Sequence, residues 1–217
     1  MVTAETTDAL VRRITDLLAE RTQQKRLLIG IAGAPGSGKS TLAEGLCGQL
    51  NASSSTEQAV VVPMDGFHLD NVILDRREQR AVKGAPQTFD VDGFIILLQR
   101  LGRTTDSSVY VPVFDREADL SRNAAQCVDP EHQIIIVEGN YLLLRRPGWS
   151  SLRENFDLTV MLEVPLALLE ERLVQRWLDH GHDPAQARQR ALSNDIPNAR
   201  LVLKESTEAD LYYKSVR

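Results

Sequence analysis

Cysteine, aromatic residues and long apolar runs are all scarce in this sequence. Its 217 residues include two cysteines, Cys47 and Cys127, which lie far apart and form no CxxC pair. This argues against a disulfide scaffold or a cysteine metal site, and it indicates free thiols in a reducing cytoplasm. No apolar run approaches the ~18 residues of a membrane helix, and residues 1–5 do not resemble a signal peptide. We therefore expect a cytoplasmic protein without membrane insertion.

Positive charge is also in short supply. The chain has 25 Lys and Arg against 30 Asp and Glu, a net charge of −5, so we expect no nucleic-acid partner. Apolar residues at 42% and charged residues at 25% are typical of a soluble globular protein. The length fits one domain over residues 1–217. Composition does not determine the oligomeric state, and a homodimer is one of the possibilities.

Apolar runs alternate with helical patterns along the chain. Buried strands are predicted at residues 27–32, 59–62, 134–137 and 158–162, with a last short strand at 209–213. Residues 109–113 also predict a strand, which Pro112 places at an edge or strand end. Helical spacing predicts one helix over residues 10–18 and another over 165–180. This order predicts an α/β fold with a mostly parallel sheet flanked by helices, whose ligands bind at the carboxyl ends of the strands.

A complete phosphate-binding motif follows the first buried run. It matches G-x-x-x-x-G-K-[ST] and continues into a helical pattern, which an accidental glycine-rich turn would not require. Backbone N–H groups of such a loop face phosphate oxygens, Lys39 reaches the β- and γ-phosphates, and Ser40 gives a hydroxyl to Mg²⁺. The predicted ATP-binding residues of the loop are Gly33, Ala34, Pro35, Gly36, Ser37, Gly38, Lys39, Ser40 and Thr41.

Two acidic residues end buried strands and are predicted to meet the phosphate loop. Asp65 precedes Gly66, so it is either a turn residue or a general base that also contacts Mg²⁺. Glu138 closes the run 134–137, so it is either a solvent-facing strand end or a carboxylate that orients Mg²⁺. Because both follow core strands, we favour the catalytic and metal roles.

Arginines four residues apart mark the long C-terminal helix. Arg172 and Arg176 share one helix face, where they either pair with Glu170 and Glu171 or stabilise the transferred phosphoryl group. The segment 181–184 would form the bend of a lid over the nucleotide, within an Arg-rich region of about residues 170–205.

Polar residues that follow the core strands are candidates for the acceptor site. His68 lies near Asp65, Lys83 and Phe89 lie in a turn-rich loop, and Asn140 follows Glu138. Asp115 and Arg116 either bind a polyol or form a salt bridge with each other.

Five segments in this order resemble the superfamily of uridine kinase, phosphoribulokinase and pantothenate kinase. The segments are 33–40, 64–68, 83–90, 112–116 and 137–140, and the similarity is greatest to bacterial fructose transport system kinases. The resemblance implies a P-loop NTPase fold with a five-stranded, mostly parallel sheet and a helical lid. It implies ATP, Mg²⁺ and an alcohol acceptor. It matches Asp65 to the catalytic aspartate, Glu138 to the Mg²⁺-associated acid, Arg172 and Arg176 to lid arginines, and Asn198 to an adenine contact.

The acceptor and two other functions stay open at this point. A sugar such as fructose, a nucleoside such as uridine, and pantothenate are the alternatives. Residues 114–119 lack the histidine with which uridine kinases hold the nucleoside, which argues against that acceptor. A GTPase is disfavoured because Asp90 to Gly93 matches D-x-x-G but no N-K-x-D occurs. A non-catalytic, transport-associated ATP-binding regulator would bind ATP without turnover.

Overall fold

The structure is a computed structural model that describes residues 2–4, 6–21, 25–103 and 106–214. The strands are β1 (Val2–Ala4), β2 (Leu27–Gly33), β3 (Ala59–Pro63), β4 (Val109–Asp115), β5 (Leu120–Val128), β6 (Ile134–Gly139), β7 (Leu158–Glu163) and β8 (Leu211–Lys214). The α-helices are α1 (Thr7–Ala19), α2 (Lys39–Ala52), α3 (Asn71–Arg76), α4 (Val91–Gly102), α5 (Leu166–Asp179), α6 (Pro184–Arg190) and α7 (Ile196–Glu205).

The main sheet runs in the order β1-β8-β7-β2-β6-β3, and each neighbouring pair is parallel. The five strands expected from the apolar runs are all present, and the three-residue strand β1 adds an edge. In the register, Glu138 on β6 lies beside Ile31 on β2 and Pro63 on β3. The carboxyl ends of β2, β3 and β6 therefore meet, as predicted from the chain.

Helices cover both faces of the sheet, which explains why β2 is apolar and buried along its whole length. Leu27, Ile29 and Ile31 pack in one cluster with α1 and α2. Leu28 and Ala32 face the opposite cluster, which contains residues of α4 and α5. Successive residues of a strand point to opposite faces, so a strand between two helical layers must be apolar throughout.

Capping residues fix where the helices begin. Thr6 accepts a hydrogen bond from Ala9 N and starts α1, and Asp90 accepts one from Gly93 N and starts α4. The two residues of the D-x-x-G match are thereby engaged in an N-cap, a structural role.

A separate antiparallel hairpin, β4–β5, lies outside the main sheet. The predicted strand at 109–113 is part of β4. Strand β5 was not predicted, because its apolar and polar residues do not alternate. Its middle, residues 122–125, is exposed. The hairpin touches the 3₁₀ turn Met64–Phe67, where a Cβ on Gly66 would lie 2.3 Å from the Pro112 carbonyl oxygen. Only glycine permits this approach.

Replacing Gly66 with alanine should separate these two segments. We expect Gly66→Ala to lower the free energy of unfolding by about 1–3 kcal/mol, the usual cost of overpacking. Urea unfolding monitored by circular dichroism measures this change. Gly48→Ala is the matched control, because Gly48 lies within α2 with open space around its Cα. That variant should gain about 0.5–1 kcal/mol, and an equal loss in both variants would contradict the packing argument.

Helices α5, α6 and α7 form the C-terminal layer beside the carboxyl ends of the strands. Gly181, with a φ of 84°, ends the turn after α5, and Asp183 caps α6 through Ala185 N and Gln186 N. A π-helical turn, Ala191–Asp195, joins α6 to α7. Within the described ranges, no helix combines the length and apolar character needed to cross a membrane.

Candidate active site

The phosphate loop joins β2 to α2, and its glycines are required by its geometry. Gly36 and Gly38 have φ angles of 78° and 90°, a region that side chains rarely tolerate. A Cβ on Gly33 would lie 2.6 Å from Ser37 Oγ. The Ser37 N–H donates to the Ala34 carbonyl at 3.0 Å and closes the turn. The loop is therefore compact, with Ser37 buried inside it.

Helix α2 begins at Lys39, directly after this turn. The first N–H groups of a helix have no partner within the helix, and the helix dipole places partial positive charge there. Lys39 and Ser40 line a large cavity at this point. The combination of a helix N-terminus, an ammonium group and a hydroxyl fits a bound phosphate chain.

Arg172 on α5 supports the phosphate loop from the other side. Its Nη1 donates to the Gly36 carbonyl at 3.2 Å and to the Ser37 carbonyl at 3.3 Å. Leu173 packs so closely that a Cβ on Gly36 would come within 3.1 Å of its Cγ. Helix α5 is thereby fixed to the loop that holds the phosphates.

Glu138 lies at the end of β6, buried behind the phosphate loop. Burial raises the pKa of its carboxyl, Lys39 and a hydrogen bond from Ser40 oppose that rise, and Asp65 reinforces it. Its Oε2 is enclosed and has no hydrogen-bond partner. A buried carboxylate oxygen without a partner is costly, so a bound group is expected to satisfy it.

These residues fit a Mg²⁺ ion held together with phosphate. Mg²⁺ prefers oxygen ligands and retains water and phosphate oxygens beside one or two protein ligands. Ser40 and Glu138 supply such oxygens, and Asp65 lines the same cavity as Ser40. A metal site made of three or more His, Cys, Asp or Glu side chains does not occur among the residues that the structure describes.

Asp65 lies on the 3₁₀ turn after β3, and its carboxylate faces the cavity. Its side chain is 31% exposed, and Arg116 Nη2 lies 3.7 Å from its Oδ2. The neighbouring β6 places Gly139 against Met64, where a Cβ would be only 2.6 Å from the Met64 Cβ. This close packing fixes the turn that presents Asp65.

His68 is held between two aromatic rings. Its ring centroid lies 4.1 Å from that of Phe89 and 4.5 Å from that of Phe114. Nδ1 lies 2.8 Å from the Asp65 carbonyl oxygen, which can only accept, so Nδ1 carries the hydrogen. Burial lowers the pKa of His68 despite the charge of Asp65 nearby, so the ring is neutral at pH 7 and Nε2 is an acceptor.

Lys83 is tied to the tip of the β4–β5 hairpin. Its Nζ donates to Asn71 Oδ1 at 2.8 Å, to the Asp119 carbonyl at 2.7 Å and to Asp119 Oδ1 at 2.8 Å. Partial burial raises the pKa of Asp119, but the hydrogen bonds from Lys83 and Asn71 outweigh this and hold it below its usual value. All three ammonium hydrogens are engaged, so the Lys83 side chain is a fixed part of the cavity wall.

The large cavity, of about 760 Å³, gathers most of the predicted residues. The predicted residues that line it are Pro35, Gly36, Lys39, Ser40, Asp65, His68, Lys83, Phe89, Arg116, Asn140, Arg176 and Asn198. A second cavity, of about 420 Å³, lies on the other side of the phosphate loop and includes Gly38, Thr41, Arg172 and Tyr213.

Asp115 lines neither of these two cavities, so its assignment to the acceptor site stays a prediction. Its Oδ1 accepts from Ala118 N at 3.0 Å and its Oδ2 lies 3.6 Å from Arg122 Nη1. Asp115 is the last residue of β4, and Arg116 follows it in the turn of the hairpin. The predicted salt bridge between them is absent, since Arg116 is next to Asp65 instead.

Comparison with known proteins agrees with this geometry. The model of the "Phosphoribulokinase / Uridine kinase family" matches residues 28–201. The chain belongs to the phosphoribulokinase/uridine kinase family. A protein of Schizosaccharomyces pombe named "Putative uridine kinase C227.14" is 37% identical over 216 residues, covering 97% of this chain and 91% of that protein. Escherichia coli YggC is 34% identical over 191 residues, covering 87% and 77% respectively.

A solved structure extends the similarity to the whole fold. The structure of a "putative fructose transport system kinase" from Silicibacter sp. TM1040 is 45% identical, with a TM-score of 0.90 over 96% of this chain and 99% of that one. Membership of the phosphoribulokinase/uridine kinase family makes this chain a P-loop kinase with an ATP-binding fold.

In this member of the phosphoribulokinase/uridine kinase family, one polar cluster joins the C-terminal helices to each other and to the loop that contains Lys83. Arg176 Nη2 lies 3.0 Å from Asp195 Oδ1, and Trp177 Nε1 donates to Asp195 Oδ2 at 2.7 Å. Asn194 Nδ2 donates to the Lys83 carbonyl at 2.8 Å and accepts from Asn198 Nδ2 at 3.1 Å through its Oδ1. The C-terminal region therefore contacts the loop that contains Lys83 directly.

Several residues that line the cavity were not among the predicted site residues. They are Arg80, Phe114, Asp119, Trp177, Asn194 and Asp195. Asp119 has a φ of 53°, a turn conformation that aspartate tolerates, but one turn residue is a weak sequence pattern. Asn194 and Asp195 occur in the π-helical turn, and such turns are frequent at functional sites but have no composition of their own.

Proposed function

We propose that this protein is an ATP-dependent kinase that transfers the γ-phosphoryl group to a hydroxyl of a small molecule. One observation carries the proposal: Lys39, Ser40 and Asp65 line a single cavity, with the buried Glu138 directly behind them. Phosphoryl transfer requires these parts, namely a phosphate cradle, a cation and a carboxylate at the attacking hydroxyl.

The chain's own residues account for binding, orientation and proton removal. The phosphate loop and Lys39 hold the β- and γ-phosphates, and Arg172 keeps the loop rigid through Gly36 and Ser37. Mg²⁺, bound at Ser40 and Glu138, would supply charge neutralisation of the phosphates. Asp65 accepts the proton of the acceptor hydroxyl. At the same time the hydroxyl oxygen bonds to the γ-phosphorus, and ADP leaves.

The nucleotide base is assigned to the second cavity. Thr41, Arg172 and Tyr213 line it beside the phosphate loop, on the side opposite Asp65. Asn198 lies in the large cavity and bonds to Asn194. This position supports an acceptor-side role for Asn198 in place of the adenine contact that the family resemblance implies.

Residues 170–205 are proposed to act as the lid of a single domain. Arg176 lines the large cavity and is held by Asp195 in this structure. A guanidinium at this position suits the charge that develops on the transferred group. Closure of a lid excludes water, which would otherwise compete with the acceptor for the phosphoryl group.

The direct test is ADP formation from MgATP with a panel of acceptors. Fructose and other sugars, uridine, cytidine, pantothenate and ribulose 5-phosphate should be assayed in parallel, with mass spectrometry of the products. We expect one acceptor class to raise ADP formation well above the hydrolysis rate and to yield a phosphate ester. MgATP binding without product from any acceptor would contradict the proposal and favour a non-catalytic regulator.

A further inference from the structure

The chemistry of the acceptor can be inferred from the part of the large cavity between His68, Lys83, Arg116 and Asn140. This region, called the acceptor pocket below, lies around Asp65 and away from the nucleotide base. Its charges, its aromatic rings and its unpaired polar groups each restrict what can bind. The inference rests on the proposed phosphoryl transfer, because the acceptor must present a hydroxyl to Asp65.

The cations of the acceptor pocket are already compensated by carboxylates. Lys83 Nζ lies 2.8 Å from Asp119 Oδ1, and Arg116 Nη2 lies 3.7 Å from Asp65 Oδ2. Arg80 at its edge lies 3.1 Å from Asp75 Oδ2 and 4.0 Å from Asp119 Oδ2. An anionic acceptor would have to break one of these ion pairs. Otherwise the repulsion between its charge and the phosphates of ATP would not be compensated. The pocket therefore favours a neutral acceptor.

The remaining cations of the large cavity lie elsewhere. Lys39 begins α2, while Arg176 and Arg190 lie on the C-terminal helices α5 and α6. The guanidinium groups of Arg176 and Arg190 lie 5.7 Å and 5.1 Å from the Trp177 ring centroid. Arg176 is itself paired with Asp195, whose Oδ1 lies 3.0 Å from Arg176 Nη2.

The aromatic rings of the acceptor pocket are engaged with one another. His68 stacks against Phe89 and Phe114, and the Lys83 ammonium lies 5.0 Å from the Phe114 ring centroid. Phe89 makes edge contacts with Tyr141 and Trp149, both with centroids 5.8 Å away. A base-binding site instead presents a ring as a stacking platform. In the described part of the chain, each ring of this pocket already packs on neighbours.

Two polar groups of the acceptor pocket make no hydrogen bond with any residue that the structure describes. One is His68 Nε2, since the hydrogen bond of this ring to the Asp65 carbonyl is made by Nδ1. The Asn140 side chain makes no hydrogen bond with the described residues, and its Oδ1 is enclosed without a partner. With the Asp65 carboxylate, these groups form a small set of hydrogen-bonding sites that hydroxyl groups can satisfy.

We propose that the acceptor is a neutral, non-aromatic polyhydroxy compound, a free sugar or a sugar alcohol, and that Asn140 contributes to its recognition. One hydroxyl donates its proton to Asp65, its oxygen bonds to the γ-phosphorus, and the bond from that phosphorus to ADP breaks. Other hydroxyls pair with Asn140 and His68. A site built to hydrogen-bond such groups rejects molecules that leave its polar atoms unpaired.

Four acceptor pools at equal total concentration test the class. They contain neutral pentoses, hexoses and their alditols; the corresponding aldonic acids; their phosphate esters; and ribonucleosides. We expect ADP formation with the neutral pool to exceed that with each other pool about tenfold or more. A higher rate with acids, phosphates or nucleosides would overturn the inferred class and leave the kinase function intact. Bound MgATP without turnover on any pool would overturn both.

Asn140→Ala tests the recognition residue with the most active acceptor. We expect the KM for the acceptor to rise about tenfold while the KM for ATP stays within about twofold. Asn123→Ala, at an exposed position on β5, is the matched control and should change neither constant. An unchanged acceptor KM in Asn140→Ala, or an equal rise in both KM values, would refute the contact between Asn140 and the acceptor.

Discussion

Lys39→Ala should lose both nucleotide affinity and catalytic rate. Lys39 starts helix α2 and lines the cavity beside Ser40 and Asp65, and its charge acts on the buried Glu138. The ammonium group is the charge that we propose to hold the β- and γ-phosphates. Removing a preorganised group of this kind typically costs ~10²–10³ in kcat. Steady-state kinetics and equilibrium binding of MgATP would measure the two losses separately.

Lys204→Ala is the matched control for this experiment. Lys204 lies exposed on α7 and does not line either cavity, so its removal changes net charge by the same amount without touching the site. We expect wild-type binding and rate in that variant. If Lys39→Ala kept full activity, the phosphate loop would not be the nucleotide site. A loss of the same size in the Lys204 variant would indicate a general charge effect.

The loss in Lys39→Ala also depends on the state of Glu138. Burial raises the pKa of this carboxyl and the Lys39 charge opposes the rise. Without Lys39, the ionised form of Glu138 is less favoured at a given pH. In the proposed site the carboxylate form would hold Mg²⁺, so the variant should also require more Mg²⁺ for half-maximal activity. One substitution would thus remove the proposed phosphate contact and weaken the proposed metal ligand.

The phosphate loop could be predicted from sequence because its geometry is local. Gly36 and Gly38 adopt positive φ angles, and Gly33 must admit Ser37, so glycine is required at each position. The strand ends at Asp65 and Glu138 were also predictable. Strands between two helical layers must be apolar, and parallel strands present their carboxyl ends at one edge.

The acceptor pocket was less predictable because its contacts join distant segments. Lys83 was predicted to bind substrate, yet Asp119, from a hairpin tip 36 residues along the chain, engages its ammonium group. The strand β5 that leads away from that tip has apolar and polar residues that do not alternate, so its sequence carries no strand period. Asp115 was predicted to bind the acceptor, and its carboxylate contacts Ala118 N and Arg122, the second of which only the pairing of the hairpin brings near.

Asp65→Asn should separate binding from chemistry. The amide has nearly the same size as the carboxylate but cannot take a proton from the acceptor hydroxyl. We expect kcat to fall ~10²–10⁴-fold, the range for loss of a general base, with ATP binding close to that of the wild type. Fixed-time assays of ADP and of the product ester would measure kcat. Equilibrium binding of MgATP would measure the nucleotide affinity.

Arg116 gives the Asp65 experiment a second consequence. Its guanidinium lies 3.7 Å from the Asp65 carboxylate, and the neutral amide of Asp65→Asn would leave that cation uncompensated in the acceptor pocket. Anionic acceptors should then bind relatively better than in the wild type, although turnover stays low. Asp92→Asn, exposed in the first turn of α4, is the matched control and should keep full turnover. Wild-type turnover in Asp65→Asn would instead show that the acceptor hydroxyl loses its proton without Asp65, because phosphoryl transfer depends chiefly on positioning and charge.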